Sequence, residues 1–336
     1  LELCYENGDQ KTLNSSEDWL SYPSAILENN IYAGEVYDSR RECNVFVMPL
    51  QQLDGWEPVV LATAPEGKME LQVMPPMRRI EELKIEAIHK VDNEFILDFG
   101  QNFTGWLKIV VQASQGEEIR MRFAESLDAE GGIDTSTTGV FATTVEQIDR
   151  YICKGEGVEV WEPRFTYHGF RYVEVIGWPG EIDGKDIVGV VVHTDLKPVS
   201  QLECGNSRLI TLHNMALWTH RSNVHGIPED CPARERCGWL GDANLVAEYS
   251  LWNYESKSFW EKFLGDIETS REKNNGFLTD IAPGKRCEKR VGNPDWSAAF
   301  IMVAYYLYLH SADESIVRRH WSGMTFLMDH YKHSAE

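Results

Sequence analysis

Basic residues are scarce in this chain: 32 lysines and arginines stand against 53 aspartates and glutamates, a net charge of −21 at pH 7. That imbalance argues against nucleic acid or an anionic membrane as partner, since both are held through neutralised phosphates, and a neutral ligand fits better. No apolar run approaches the roughly 20 residues that a membrane-spanning helix needs, so a soluble chain is expected. The seven cysteines, at positions 4, 43, 153, 204, 231, 237 and 287, are odd in number and follow no framework spacing, which predicts free thiols. Cys231 and Cys237 match neither a zinc knuckle nor a CxxC pair and no HExxH occurs, so no metal or other cofactor is expected. The sequence opens on Leu1 without a signal peptide or an initiating Met, and the compartment stays open.

Tryptophan, by contrast, is plentiful, with eleven in 336 residues. Such rings serve as core filler and as platforms for the C–H faces of sugars. The length predicts two or three domains. Residues 1–70 mix short apolar alternations, such as Cys43 to Met48, with Gly- and Asp-bearing turns, and predict the tail of a β-sandwich. Over 71–196 the strand signal is clearer, in Phe95–Phe99, Leu107–Val111, Ile119–Phe123, Tyr172–Ile176 and Ile187–Val192, and predicts an antiparallel sandwich. Beyond Pro198 the period becomes 3.6. Ser207 is the expected N-cap of a helix with its stripe at Leu209, Ile210, Leu212, Met215 and Leu217. Four further helices are predicted over Ala243–Leu251, Ser256–Arg271, Trp296–His310 and Glu314–Tyr331.

Chemistry concentrates between Asp230 and Asp242, in Asp-Cys-Pro-Ala-Arg-Glu-Arg-Cys-Gly-Trp-Leu-Gly-Asp. Pro228 and Pro232 disfavour helix at one end and Gly238 and Gly241 punctuate the other, so the segment predicts an irregular loop feeding a helix near Asp242. A proton donor to a leaving group needs a raised pKa, which neighbouring carboxylates or an apolar wall such as Trp239 supply. Glu235 is the candidate acid; Asp230 and Asp242 suit the hydroxyls of a polyol, and Trp239 its apolar face. The competing reading is a structural ion-pair network of Arg234 and Arg236 with Asp230, Glu235 and Asp242. A second cluster, Gly292-Asn293-Pro294-Asp295-Trp296, places Asp295 and Trp296 at a helix start, where Asp295 also suits a helix cap. Asp280 and Glu288 lie in the loop before it. His225 precedes the first motif and is either a pocket residue or a structural hydrogen-bonder; His168 has a local structural role.

The Asp230–Asp242 segment resembles the signature of bacterial α-L-rhamnosidases of glycoside hydrolase family 78. Leu97-Asp98-Phe99-Gly100-Gln101-Asn102-Phe103-Thr104-Gly105-Trp106 and Phe165-Thr166-Tyr167-His168-Gly169-Phe170-Arg171-Tyr172 are similar to the opening and close of that family's central β-domain. Ile31 to Asp38 is similar to a segment of its preceding domain. The resemblance implies a multidomain β + α chain: the C-terminal part of a carbohydrate-binding-like β-sandwich over 1–70, an antiparallel β-sandwich over 71–196, and over 197–336 the first part of an (α/α)6 barrel, whose missing helices would leave apolar faces bare. It implies an inverting α-L-rhamnosidase acting on a rhamnose-containing oligosaccharide or glycoside. Glu235 then matches the general acid, while Asp230, Arg234, Trp239 and Asp242 match residues lining the sugar pocket; the general base lies on a later helix. Where the family often has Asp-Ala, this sequence has Ala298-Ala299, which leaves a related glycosidase of different glycone, or a non-catalytic carbohydrate-binding homologue, as alternatives.

Overall fold

The computed structural model describes residues 1–43, 55–65, 67–91, 94–138, 145–284 and 293–336. Among the described residues, sixteen strands come first. They are β1 (Glu2–Cys4), β2 (Gln10–Thr12), β3 (Leu20–Ser21), β4 (Ile26–Asn30), β5 (Gly34–Asp38), β6 (Glu57–Pro58), β7 (Met77–Leu83), β8 (Ala87–Val91), β9 (Glu94–Val111), β10 (Glu118–Ala124), β11 (Ser126–Leu127), β12 (Ile133–Asp134), β13 (Ile148–Ile152), β14 (Glu159–Trp161), β15 (His168–Ile176) and β16 (Ile187–Thr194). Helices follow: α1 (Ser207–Arg221), α2 (Leu240–Asn253), α3 (Lys257–Lys273), α4 (Pro294–Ser297), α5 (Ala299–Ser311) and α6 (Glu314–Ala335). A strand-rich half followed by a helical half is the architecture the sequence predicts. The alternation at Cys43 to Met48 lies, beyond Cys43, outside the described residues.

Ten strands form one sheet in the order β4-β5-β13-β10-β15-β9-β16-β7, with β8 and β14 also on β9. The two predicted strands at Phe95–Phe99 and Leu107–Val111 are the ends of the single 18-residue β9. Its first half lies between β8 and β15 and its second between β14 and β16, so it changes neighbours near Gly105. A strand that hands over from one set of partners to another makes the corner of a sandwich. Gly105 is required there, because a Cβ would stand 1.8 Å from the Val190 carbonyl oxygen. The enclosed core holds Phe99, Phe103, Phe123 and Phe170, with Phe103 and Phe170 centroids 4.3 Å apart.

Two departures from the sequence reading bear on the site. The sheet is not wholly antiparallel: β5 runs parallel to β13, pairing Val36 with Arg150, so the ladder joins the first 70 residues to the following sandwich. In the helical half, Ser207 is not the cap of α1. Asn206 is, its side chain accepting from the Arg208 amide at 3.0 Å, because a carboxamide one residue earlier reaches the free N–H groups. Most of the α1 stripe does not face a core: Leu212 and Met215 are 62% and 61% exposed, and only Leu217 packs on the helical core. The next residue, Trp218, packs on the sandwich. The long predicted helix from Trp296 is broken at Ala298 into the single turn α4 and then α5.

Candidate active site

The loop between α1 and α2 is anchored on the sandwich before it carries any chemistry. Tyr167 Oη donates to Glu229 Oε1 at 2.5 Å, and the other carboxylate oxygen lies 2.8 Å from His225 Nδ1. The remaining ring nitrogen of His225 is 2.9 Å from the Val192 carbonyl, and its ring stacks on Tyr167 with centroids 4.3 Å apart. His225 is thus a structural hydrogen-bonder, as one of the two sequence readings holds. Gly169 of β15 lies against the loop so closely that a Cβ would sit 2.8 Å from Pro232. His168 is buried in the sandwich, with Nε2 3.1 Å from Asp149 Oδ1 and its ring stacked on Phe123.

On this anchored loop Glu235 is buried, with 9% of its surface exposed. Its Oε2 accepts from Trp239 Nε1 at 2.7 Å, so the indole holds the carboxyl through an edge contact as well as walling it. Arg234, on the exposed side, places its guanidinium 3.2 Å from Oε1. Asp230 turns toward its own loop: Oδ1 accepts from the Cys237 amide at 3.0 Å and Oδ2 from the Cys231 thiol at 2.9 Å. Each oxygen keeps lone-pair capacity for a further donor. Burial first, and the Glu235 charge as a further cause, push the Asp230 carboxyl above the ordinary aspartate range; the same two causes raise Asp242, half-buried in the first turn of α2. Both aspartates line a cavity of about 420 Å³ between α1 and α2, with Thr219, Asn223, Glu229 and Tyr249.

The alternative ion-pair network holds for only one of its cations. Arg236 faces away from the cavity: its Nε donates to the Pro232 carbonyl at 2.7 Å, Nη2 to Gln147 Oε1 at 2.6 Å, and Nη1 to the Ile31 carbonyl. Burial lowers its pKa.

Trp296 comes to the first cluster through Gly241, where a Cβ would lie 2.8 Å from the indole. Asp295 is exposed in the single turn α4 and does not cap it; Asn293 occupies the N-cap position because Pro294 starts the turn. Asp280 joins the two clusters. Its carboxylate accepts from Asn293 N at 2.8 Å and Nδ2 at 3.0 Å, and its carbonyl from Leu240 N at 2.9 Å. Gly292, Cys287 and Glu288 lie outside the described residues. Among those described, no group of three or more His, Cys, Asp or Glu is placed to hold a metal ion, and no helix is long and apolar enough to cross a membrane.

Sequence reasoning missed the sandwich residues that grip this loop. Tyr32 Oη donates to the Glu235 carbonyl at 2.9 Å across 203 residues of chain, and Gln147 reaches Arg236 across 89. No local pattern signals either contact: Tyr32 and Tyr167 lie in runs singled out above, but for family likeness and not for a grip on this loop, and Gln147 lies in none.

Comparison with known proteins gives three family matches along the chain. The alpha-L-rhamnosidase N-terminal domain matches residues 1–81, the bacterial alpha-L-rhamnosidase concanavalin-like domain 88–193, and the bacterial alpha-L-rhamnosidase 6 hairpin glycosidase domain 197–336. An alpha-L-rhamnosidase of Formosa agariphila is 38% identical over 98% of this chain and 36% of its own length. The alpha-L-rhamnosidase structure from Dictyoglumus thermophilum superposes with a TM-score of 0.90 at 38% identity, over 96% of this chain and 36% of that one. That of Streptomyces avermitilis, complexed with L-rhamnose, gives 0.87 at 33% identity, over 96% of this chain and 31% of that one. The chain spans about a third of the length of the relatives it matches.

Proposed function

The chain belongs to the bacterial α-L-rhamnosidase family, and from that premise we propose that the protein carrying it is a glycoside hydrolase that releases terminal α-L-rhamnose from oligosaccharides or glycosides with inversion. The observation that carries this reading is the buried Glu235 carboxyl, held by Trp239 at 2.7 Å and accompanied by two aspartates that line one cavity. Glu235 is the general acid that protonates the leaving oxygen as the glycosidic bond breaks. A water on the opposite face of the ring attacks the anomeric carbon and gives up its proton to a second carboxylate; inverting enzymes hold the two groups about 6.5–9.5 Å apart. None of these 336 residues is assigned to that base.

Asp230 and Asp242 accept hydrogen bonds from the sugar hydroxyls, and Trp239 and Trp296 offer apolar surface to the C5 methyl. Arg234 is on the exposed rim, its side chain 48% accessible, so substrate can displace it from Oε1. Asp295, exposed on α4, is assigned a substrate contact as well. The chain divides functionally at about residues 70 and 196, with the helical part bearing the chemistry.

Ala298 and Ala299, where the family often has Asp-Ala, motivate the second reading of a different glycone. Ala299 is fully buried in the helical core, so only Ala298 is placed to affect a sugar. The test is hydrolysis of an aryl α-L-rhamnoside and of other aryl α-glycosides by the full-length protein beside its Glu235→Gln variant. Rhamnoside turnover falling about 10²–10⁴-fold in the variant is expected for loss of a general acid. Turnover of another glycoside only would refute the substrate, and no turnover at all would favour a carbohydrate-binding homologue.

A further inference from the structure

The residue after the candidate acid is under backbone strain. Arg236 has φ +51°, the left-handed region, which is unfavourable for a residue other than glycine. Such a conformation persists only where the surroundings over-determine it. Here the loop itself contributes Pro232, whose carbonyl accepts from Nε, and the remaining hydrogen-bond acceptors and ring partners of the guanidinium described here belong to the sandwich half. Ile31 and Gln147 accept from the guanidinium, whose carbon stands 5.3 Å from the centre of the Tyr32 ring and 4.7 Å from that of Tyr167. Tyr32 makes a second contact of a different kind, its hydroxyl donating to the Glu235 carbonyl at 2.9 Å. One side chain therefore holds both the carbonyl of the peptide that joins acid and arginine and the guanidinium of that arginine. Trp239 then fixes the carboxyl from the other end.

We propose that Tyr32 is a positioning residue for the general acid, so that the sandwich half sets the direction in which Glu235 delivers its proton. This rests on the reading of Glu235 as the acid. Tyr32 acts through the Glu235 backbone and not through the sugar or the leaving group. A displaced acid costs most where the leaving group needs its proton most. An alkoxide leaves poorly without protonation, whereas a dinitrophenolate leaves almost unaided.

The test compares full-length wild-type protein with Tyr32→Phe, which removes only the hydroxyl, and Tyr32→Ala, which also removes the ring beside Arg236. Substrates are methyl, 4-nitrophenyl and 2,4-dinitrophenyl α-L-rhamnosides. For Tyr32→Phe we expect kcat to fall about 10-fold on the methyl rhamnoside, part of the ~10²–10⁴-fold that general acid catalysis supplies, and less than about 2-fold on the dinitrophenyl one. KM should hold, and the dependence on leaving-group pKa should steepen, more so in Tyr32→Ala. Equal losses on all three substrates would overturn the inference by assigning Tyr32 a merely structural role, and so would unchanged kinetics in both variants. A wild type that cleaves none of the three refutes the rhamnosidase reading itself, and this inference falls with it.

Discussion

Asp242 illustrates how a site keeps charge at a cost to stability. Burial and the Glu235 carboxylate raise its pKa, so the folded protein binds this proton more tightly than the unfolded chain does. The stabilisation from that proton is complete below the unfolded value of 3.8 and is lost as pH rises through the folded value, leaving an unfavourable buried charge at neutrality. Asp242→Asn should therefore raise the urea midpoint at pH 7, with the gain shrinking toward zero near pH 4, while sugar affinity drops. A gain independent of pH would show that the carboxylate is not the source. The residue types at the site were legible from sequence, because acids, tryptophan and glycine crowd one short segment. Their division of labour was not. Arg234 and Arg236 differ by two positions and read alike, yet one lies by Glu235 and the other is buried against Gln147. Which way each points depends on the left-handed backbone at Arg236, which no composition rule anticipates.

At the scale of elements, α1 carries a titration of the opposite sign. His220, next to its last residue, is buried beside Tyr254 and Tyr249, and burial lowers its pKa to about 4 from 6.5. Its Nε2 has no hydrogen-bond partner among the described residues. The unfolded chain binds this proton and the folded one resists it, so the contribution is present above 6.5 and is lost as pH falls toward 4. His220→Phe keeps a ring of similar size and should gain on the order of 2 kcal/mol relative to wild type on going from pH 7 to pH 5. Chemical denaturation at the two pH values checks this; an equal effect at both would mean that packing, not protonation, is being measured. Strand and helix existence was readable because the hydrophobic period switches from 2 to 3.6 near Pro198. The merging of two predicted strands into β9, the parallel ladder of β5 with β13, and the break at Ala298 were not readable, since each is decided by tertiary partners.

For the whole molecule, the helical half exposes large apolar side chains in numbers unusual for a surface: Leu245 is 82% exposed, Trp252 63% and Trp321 60%. Ile301, Tyr305, Tyr308, Val317 and Trp321 line an open groove of about 750 Å³ between α5 and α6. Contiguous apolar surface of this extent drives association. The 336-residue polypeptide produced by itself should self-associate as concentration rises through the micromolar range. Light scattering should fall sharply on replacing Leu245 and Trp321 by Lys; scattering that is unchanged would place the sticky surface elsewhere.

The grip of Ile31, Tyr32 and Gln147 on Arg236 and Glu235 has a bearing on inheritance. The junction near residue 196 invites exchange of a sandwich and a helical half as separate modules, but residues 31, 32 and 147 of the one hold the 230–242 loop of the other. A recombinant that takes its halves from two parents keeps the 230–242 loop intact yet retains these hydrogen bonds only where the sandwich parent supplies matching partners at 31, 32 and 147.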